Sequence, residues 1–291
     1  MAKSAFVAIV GRPSSGKSTL LNTLCGAKVS IVSPVPQTTR NSIRGIVTRP
    51  QGQLIFVDTP GFHLSDKKLN LKLRDIVLQS LSEVDIILYV VDATREPGKE
   101  EGAIIDMLSK EANRMVIAIN KIDHPEAKTL ALEEFLAPRF NRAQRVTISA
   151  LQHANLNALV DAMFELAPEG PLWYPEDIYT DQEPSFRIGE IIREKAMLHT
   201  REEVPHAIAV VYRESSRRGD GVLFARFDII VERDSQKAIV IGRQGSVIQR
   251  IREEAEAELK NLFEYPIKLQ LQVAVDADWR KNDSSLSKMI F

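Results

Sequence analysis

The sequence predicts an α/β domain built on a mostly parallel sheet with helices on both faces, followed by a smaller α+β domain. Three observations predict it. As far as Ala167, short apolar runs alternate with amphipathic stretches. Those runs are continuous, the pattern of strands buried on both faces. Pro168, Pro171, Pro175 and Pro184 then fall close together, and beyond them the order of elements changes.

In chain order, strands are expected over residues 6–10, 43–48, 54–58, 86–92, 115–120 and 145–149, with helices such as 69–81 and 130–136 between them. In sheets of this kind ligands gather at the carboxyl ends of the strands. Proline removes a backbone donor and fixes φ, so 168–184 reads as an extended linker between a domain of residues 1–167 and one of residues 185–291. The second domain is expected to run as helix 185–199, strands 207–212 and 223–231, a helical turn at 236–241, a long helix at 246–262 and a final strand at 267–275.

Composition narrows the function classes. The 291 residues are 44% hydrophobic and 26% charged, which suits two globular domains that each bury a core. The longest apolar runs, 6–10 and 86–91, are far too short to span a bilayer. The first has only Lys3 ahead of it and runs into Gly11-Arg12-Pro13, so it reads as a buried strand and not a signal peptide. The single cysteine, Cys25, allows no internal disulfide and fits a reducing compartment. A net charge of −1 favours neither a nucleic-acid nor a membrane partner on average. Locally, however, Lys237, Arg243, Arg250 and Arg252 lie in a run without a single acid.

Gly11-Arg12-Pro13-Ser14-Ser15-Gly16-Lys17-Ser18-Thr19 follows the first strand and opens a helix, the context that a phosphate-binding loop requires. Its glycines let consecutive N–H groups converge on phosphate oxygens at the positive end of that helix. Lys17 is expected to neutralise the β and γ phosphates, and the Ser18 hydroxyl to ligate Mg²⁺. Asn120-Lys121-Ile122-Asp123 lies at the end of the fifth strand. The Asp123 carboxylate can accept from guanine N1 and its 2-amino group, donors that adenine lacks, which separates GTP and GDP from ATP. Asn120 would tie this loop to the phosphate loop, and the Lys121 stem would cover the base. Ser149-Ala150-Leu151 can add the Ala150 N–H to guanine O6; by itself that tripeptide reads as a helix cap.

Asp58-Thr59-Pro60-Gly61 ends the third strand, where Asp58 can hold Mg²⁺ through a water and the Gly61 amide can feel the γ-phosphate. Between the two loops lies Pro36-Gln37-Thr38-Thr39-Arg40, one of whose threonines closes on Mg²⁺; Thr39 is preferred to Thr38. Segments 30–45 and 58–70 are the expected switches. Phe62 stands where a glutamine would orient the attacking water, so unstimulated hydrolysis should be slow. In the second domain Ile241-Gly242-Arg243-Gln244-Gly245 lies between two helices. Alone, its two glycines describe a structural turn. The five histidines, His63, His124, His153, His199 and His206, have no i, i+4 metal spacing, and Glu253, Glu254, Glu256 and Glu258 read as a solvated helix face.

These motifs together resemble the Era GTPase family. The resemblance rests on residues 11–22, Gln37-Thr38-Thr39-Arg40, Asp58-Thr59-Pro60-Gly61 and Asn120-Lys121-Ile122-Asp123. In the C-terminal third it rests on 175–177, 193–195, 203–207 and 236–245, and it covers nearly the whole chain. It implies a P-loop GTPase domain followed by a KH-type domain, with GTP or GDP and Mg²⁺ as ligands and Lys17, Thr39 and Gly61 as the catalytic set. It implies that Ile241, Gly242, Arg243, Gln244 and Gly245, with Lys237 and Arg250, grip the 3′ end of small-subunit ribosomal RNA through a G-x-x-G clamp. It further implies a cytoplasmic monomer that acts on a 30S-type ribosomal particle and associates peripherally with the inner membrane face. One departure is Ser14-Ser15, where the family usually reads Asn-Val; in related GTPases without the catalytic glutamine that asparagine helps to hold an activating potassium ion, so Ser14 leaves potassium dependence open. The end also differs from the family: after Trp279-Arg280 the chain closes with Lys288-Met289-Ile290-Phe291. Two other readings stand beside this one: an RNA-binding assembly factor for which GTP is a structural ligand, and a P-loop ATPase or small-molecule kinase, against which Asp123 argues.

Overall fold

The computed structural model describes residues 2–36, 38–62, 68–217, 219, 221–277, 279–282 and 286. Gln37, His63 and the segment 288–291 lie outside the described residues. The chain divides into two compact units, one of residues 1–32 and 39–181, the other of residues 33–38 and 182–291.

In the first unit the elements are β1 (Lys3–Val10), α1 (Lys17–Cys25), β2 (Ile43–Arg49), β3 (Gly52–Asp58), α2 (Lys68–Ser82), β4 (Ile86–Asp92), α3 (Lys99–Leu108), β5 (Met115–Asn120), α4 (Thr129–Leu136), β6 (Gln144–Thr147) and α5 (Leu156–Leu166). Six strands form one sheet in the order β2-β3-β1-β4-β5-β6. All neighbours pair in parallel except β2, which runs antiparallel to β3 at the edge. Five strands therefore end on the same side. The chain winds outward in opposite directions from β1, so the crevice beyond its carboxyl end is the natural ligand site.

Packing explains the continuous runs. Every residue of β3, β4 and β5 is buried. Helix α2 places Leu69, Leu73, Val77 and Leu81 on one buried stripe, the i, i+4 spacing of a helix lying on a sheet. A fully buried side chain of this size contributes about 1.5–3 kcal/mol. The last strand ends two residues earlier than expected. Ile148 N–H still donates to Ile119, after which Ser149 pairs with Ala154 across a turn.

The proline-rich segment is bonded to the first unit over residues 168–181. Ser4 N–H donates to the Pro168 carbonyl, Gln53 Oε1 accepts from the Trp173 and Tyr174 amides, and Ile46 N–H donates to the Tyr179 carbonyl. The last of these uses the free edge of β2. Pro184 opens α6 (Pro184–Leu198), where a missing N–H is harmless.

After α6, the second unit contains α7 (Val204–Ala207), β7 (Ala209–Arg217), β8 (Leu223–Val231), α8 (Asp234–Ile241), α9 (Ser246–Leu262) and β9 (Ile267–Val275). Its sheet is β7-β8-β9, with β7 antiparallel and β9 parallel to β8. The strand expected over 207–212 is a correction: residues up to Ala207 form the helical turn α7, and the strand runs on to Arg217 past a register shift between Tyr212 and Glu214. Its last six residues are exposed, so no apolar pattern marked them. Helix α9 buries Ile251, Ala255 and Leu259 at i, i+4 spacing.

Candidate functional site

The phosphate loop spans from the end of β1 to the start of α1. Gly16 sits at φ 95°, and a Cβ there would lie 2.3 Å from Asn120 Nδ2, so only glycine lets the loop close against the base-reading segment. Asn120 joins the two: its Nδ2 donates to the Ser15 carbonyl at 3.0 Å, and its Oδ1 accepts from the Ala150 N–H at 3.0 Å. The Ala150 amide, expected on guanine O6, donates to Asn120 Oδ1, as a buried loop N–H needs an acceptor. Its contribution is to lock 149–151 to the phosphate loop. Ser149 Oγ accepts from the Gln152 N–H as a local cap, and Leu151 is exposed. The exposed Asp123 carboxylate has no partner among the described residues, which leaves it free for a base edge.

Lys17 is buried, and its Nζ donates to the Gly11 and Arg12 carbonyls at 3.1 and 2.9 Å. Burial pulls its pKa down to about 8, against the opposing charges of Asp58 and Glu101. Phosphate oxygens favour the protonated form, so above that value nucleotide binding must take up a proton. Affinity is therefore expected to be flat below about pH 8 and to weaken by up to about tenfold per pH unit above it. Titrating a fluorescent GDP analogue from about pH 6.5 to about pH 9.5 checks this; a level profile across that range would refute it.

Around Asp58 the donor set suits a hard divalent cation. Asp58 Oδ2 accepts from Ser18 at 2.7 Å and from Ser30 at 2.9 Å, and Ser18 Oγ lies 2.9 Å from Thr39 Oγ1. Asp58 Oδ1 is buried and without a hydrogen-bond partner, and burial holds the carboxyl above its ordinary pKa despite the nearby Lys17. An orphaned, desolvated carboxylate oxygen beside two hydroxyls fits Mg²⁺. The Thr38 hydroxyl points elsewhere: it donates to the Val35 carbonyl and lies 2.8 Å from Ser33 Oγ. Phe62 N–H donates to the Gly11 carbonyl at 3.1 Å, fastening Gly61 beside the phosphate loop. The Phe62 ring itself is buried in the core among Val10, Val77 and Leu81. Ser14 is exposed at φ 63°, and Thr19 accepts the Thr23 hydroxyl on its carbonyl.

Sequence reasoning missed Asp92. It ends β4, and its Oδ2 lies 2.6 Å from Lys121 Nζ, holding that stem in place. Burial acts to raise the Asp92 carboxyl, but Lys121 and the Thr94 hydroxyl and amide outweigh it, so its pKa is lowered. A polar residue closing an apolar strand, as at Asp58 and Asn120, was the available signal. Cys25 is a packed thiol, pushed up to about 12 by burial. Among the described residues no cluster of three His, Cys, Asp or Glu could hold a metal, and no helix is long and apolar enough to cross a membrane.

In the second unit, Gly242 to Gly245 connects α8 to α9. Gly242 takes φ 74°, and a Cβ would meet Val247 Cγ2 at 2.5 Å and Val247 N at 2.8 Å. Gly245 faces open space, and Arg243 and Gln244 are exposed. The backbone is thus bare on its outer side. Ile241 and Lys237 are half-buried, and Arg250 and Arg252 are exposed along α9. The sequence did not reveal a groove of about 440 Å³ between α9 and the edge strand β9, lined by Ile248, Gln249, Arg252, Leu269, Gln270 and Leu271.

Residues 6–121 match a family described as a 50S ribosome-binding GTPase, and residues 203–280 match the KH domain. The chain is 48% identical to a GTPase Era of Treponema denticola and 43% identical to one of Borreliella burgdorferi, over 99% of both chains in each case. Among solved structures it resembles an Aquifex aeolicus Era variant bound to GDP and AlF4⁻, with a TM-score of 0.93, 38% identity and coverage of 99% of this chain and 98% of that one. It also resembles Era in complex with MgGDPNP and nucleotides 1506–1542 of 16S ribosomal RNA, with a TM-score of 0.94, 38% identity and 99% coverage of both.

Proposed function

Because this chain belongs to the Era GTPase family and hydrolyses GTP, we propose that its nucleotide state controls binding of the C-terminal domain to the 3′ end of small-subunit ribosomal RNA. In this reading it acts as a cytoplasmic monomer on the assembling small subunit. Residues 1–167 bind and hydrolyse the nucleotide, residues 185–291 bind RNA, and 168–184 connects them. The observation that carries the reading is the bare backbone at Gly242–Gly245 beside the acid-free run of Lys237, Arg243, Arg250 and Arg252. Peptide N–H groups with nearby guanidinium groups suit a phosphodiester backbone, and the apolar floor of the α9–β9 groove suits unstacked bases. The complex of a 38% identical Era with 16S RNA supports the choice of RNA.

At the nucleotide, Lys17 turns from loop carbonyls to the β and γ phosphates, while loop N–H groups converge on their oxygens. Mg²⁺ held by Ser18 and Thr39, and by Asp58 through a water, supplies the charge that offsets the phosphates. Thr39 takes this role because the Thr38 hydroxyl is occupied locally. The Gly61 amide senses the γ-phosphate, so its loss releases the segment from Asp58 onward. Asp123 reads the guanine edge, with Asn120 and Lys121 holding the loop around the base.

Position 62 offers no group to orient water, so turnover is slow until RNA or the ribosomal particle binds. Single-turnover hydrolysis, with and without an RNA of the 3′-terminal small-subunit sequence, tests this together with RNA binding in GDP and GDPNP. Stimulation of about tenfold or more and tighter RNA binding with GDPNP are expected. RNA binding indifferent to nucleotide, or fast hydrolysis by the protein alone, would overturn the proposal.

A further inference from the structure

The phosphate loop is tied to the centre of the sheet by a chain of polar groups that, Arg12 apart, none of its motifs includes. Tyr89, fully buried in β4, donates its hydroxyl to Glu101 Oε1. Glu101 Oε2 lies 3.6 Å from Arg12 Nη1, and Glu100 Oε2 lies 3.3 Å from Arg12 Nε. The same guanidinium donates to the Glu96 carbonyl at 3.3 Å, and Arg95 donates to the Pro13 carbonyl at 3.2 Å. Glu101 is 3% exposed, and the Arg12 side chain 12%.

Such a pair is a poor way to gain stability, since desolvating two charges offsets most of their attraction. Tyr89 packs edge-on against Phe140, a contact that phenylalanine would make as well. What the polar groups do provide is a fixed position for Arg12. The Arg12 carbonyl accepts from Lys17 Nζ and from the Ser15 N–H. Lys17 has three protons, two of them already given to loop carbonyls. To reach both the β and γ phosphates it must release at least one. When it turns, the Ser15 N–H and the side-chain anchor are what still hold Arg12.

We infer that Tyr89, Glu101 and Arg12 form a brace that sets the curvature of the phosphate loop, with Glu101 a positioning residue for nucleotide retention. The inference rests on the nucleotide site and not on the RNA reading.

The test uses the full chain as Glu101→Gln, Arg12→Ala, the double variant and Tyr89→Phe. It measures dissociation of a fluorescent GDP analogue, single-turnover hydrolysis at saturating GTP, and the melting temperature without nucleotide. Each of Glu101→Gln and Arg12→Ala is expected to speed GDP release by about tenfold, the size of one lost charge-assisted contact. Their effects are not expected to multiply, because both break one linkage. Tyr89→Phe should show a smaller increase in the same direction, and all should change release more than the hydrolysis step. The brace is overturned if release is unchanged while melting falls, or if the double variant is about a hundredfold faster, the product of two independent effects. Should Glu101→Gln fail to fold, Arg12→Ala and Tyr89→Phe decide the question through the same release rates.

Discussion

Asp123→Asn is expected to weaken GTP binding by about 10²–10³-fold and to turn preference toward xanthosine triphosphate. Guanine presents two parallel donors, N1–H and the 2-amino group, and a carboxylate meets both with acceptors. An amide meets one of them with its own N–H, so a donor faces a donor in a partly desolvated pocket. Xanthine carries a carbonyl in place of the 2-amino group, and the asparagine N–H then finds an acceptor. Fold stability should hardly move, because Asp123 is exposed and its carboxylate has no partner among the described residues. Competition of GTP, XTP and ATP against a fluorescent GDP analogue measures the effect. Retention of full GTP affinity by the variant would remove position 123 from the base pocket, and with it the distinction from an ATPase.

Gly242→Asp should reduce affinity for the 3′-terminal RNA by about a hundredfold while leaving GTP hydrolysis without RNA unaltered. Three effects act together. The backbone there has φ 74°, which a side chain disfavours. The new Cβ would lie 2.5 Å from Val247 Cγ2, forcing the loop outward. The carboxylate would add negative charge where a phosphate is to sit. Gly245→Ala keeps a backbone strain, at φ 77°, but adds neither charge nor clash, since its Cβ would meet nothing within 4 Å, so it should lose several-fold less. RNA anisotropy titrations of both variants at one fixed salt concentration give the comparison. Equal RNA binding by Gly242→Asp and the unsubstituted protein would place the interface elsewhere.

Both loops were legible because their residue types are forced by local geometry. A loop that lets successive N–H groups face one anion needs glycines at set intervals, and a lysine and a hydroxyl must follow at the helix start. Asn120 to Asp123 and Asp58 to Gly61 are short for the same reason: each sits at the last residues of a strand that the sheet holds in place. The long apolar runs of β3, β4 and β5 were equally plain, since strands buried on both faces tolerate little else. The exposed half of β7 was invisible, because an edge strand facing water carries no period that distinguishes it from a loop.

What the sequence by itself determined is therefore which chemical groups lie where: the glycine loop after β1, Asn120 to Asp123 and Asp58 to Gly61 at strand ends, and the Gly242 to Gly245 turn between two helices. What only the tertiary structure decided is how those groups share partners. Thr39 and not Thr38 lies by Ser18, Asn120 uses the Ala150 amide, Asp92 anchors Lys121, and Glu101 reaches Arg12. These partners are separated by tens of residues, and no spacing rule links them. Which donor meets which acceptor follows from how the sheet orders its strands, and that order is set by long-range packing, not by local sequence.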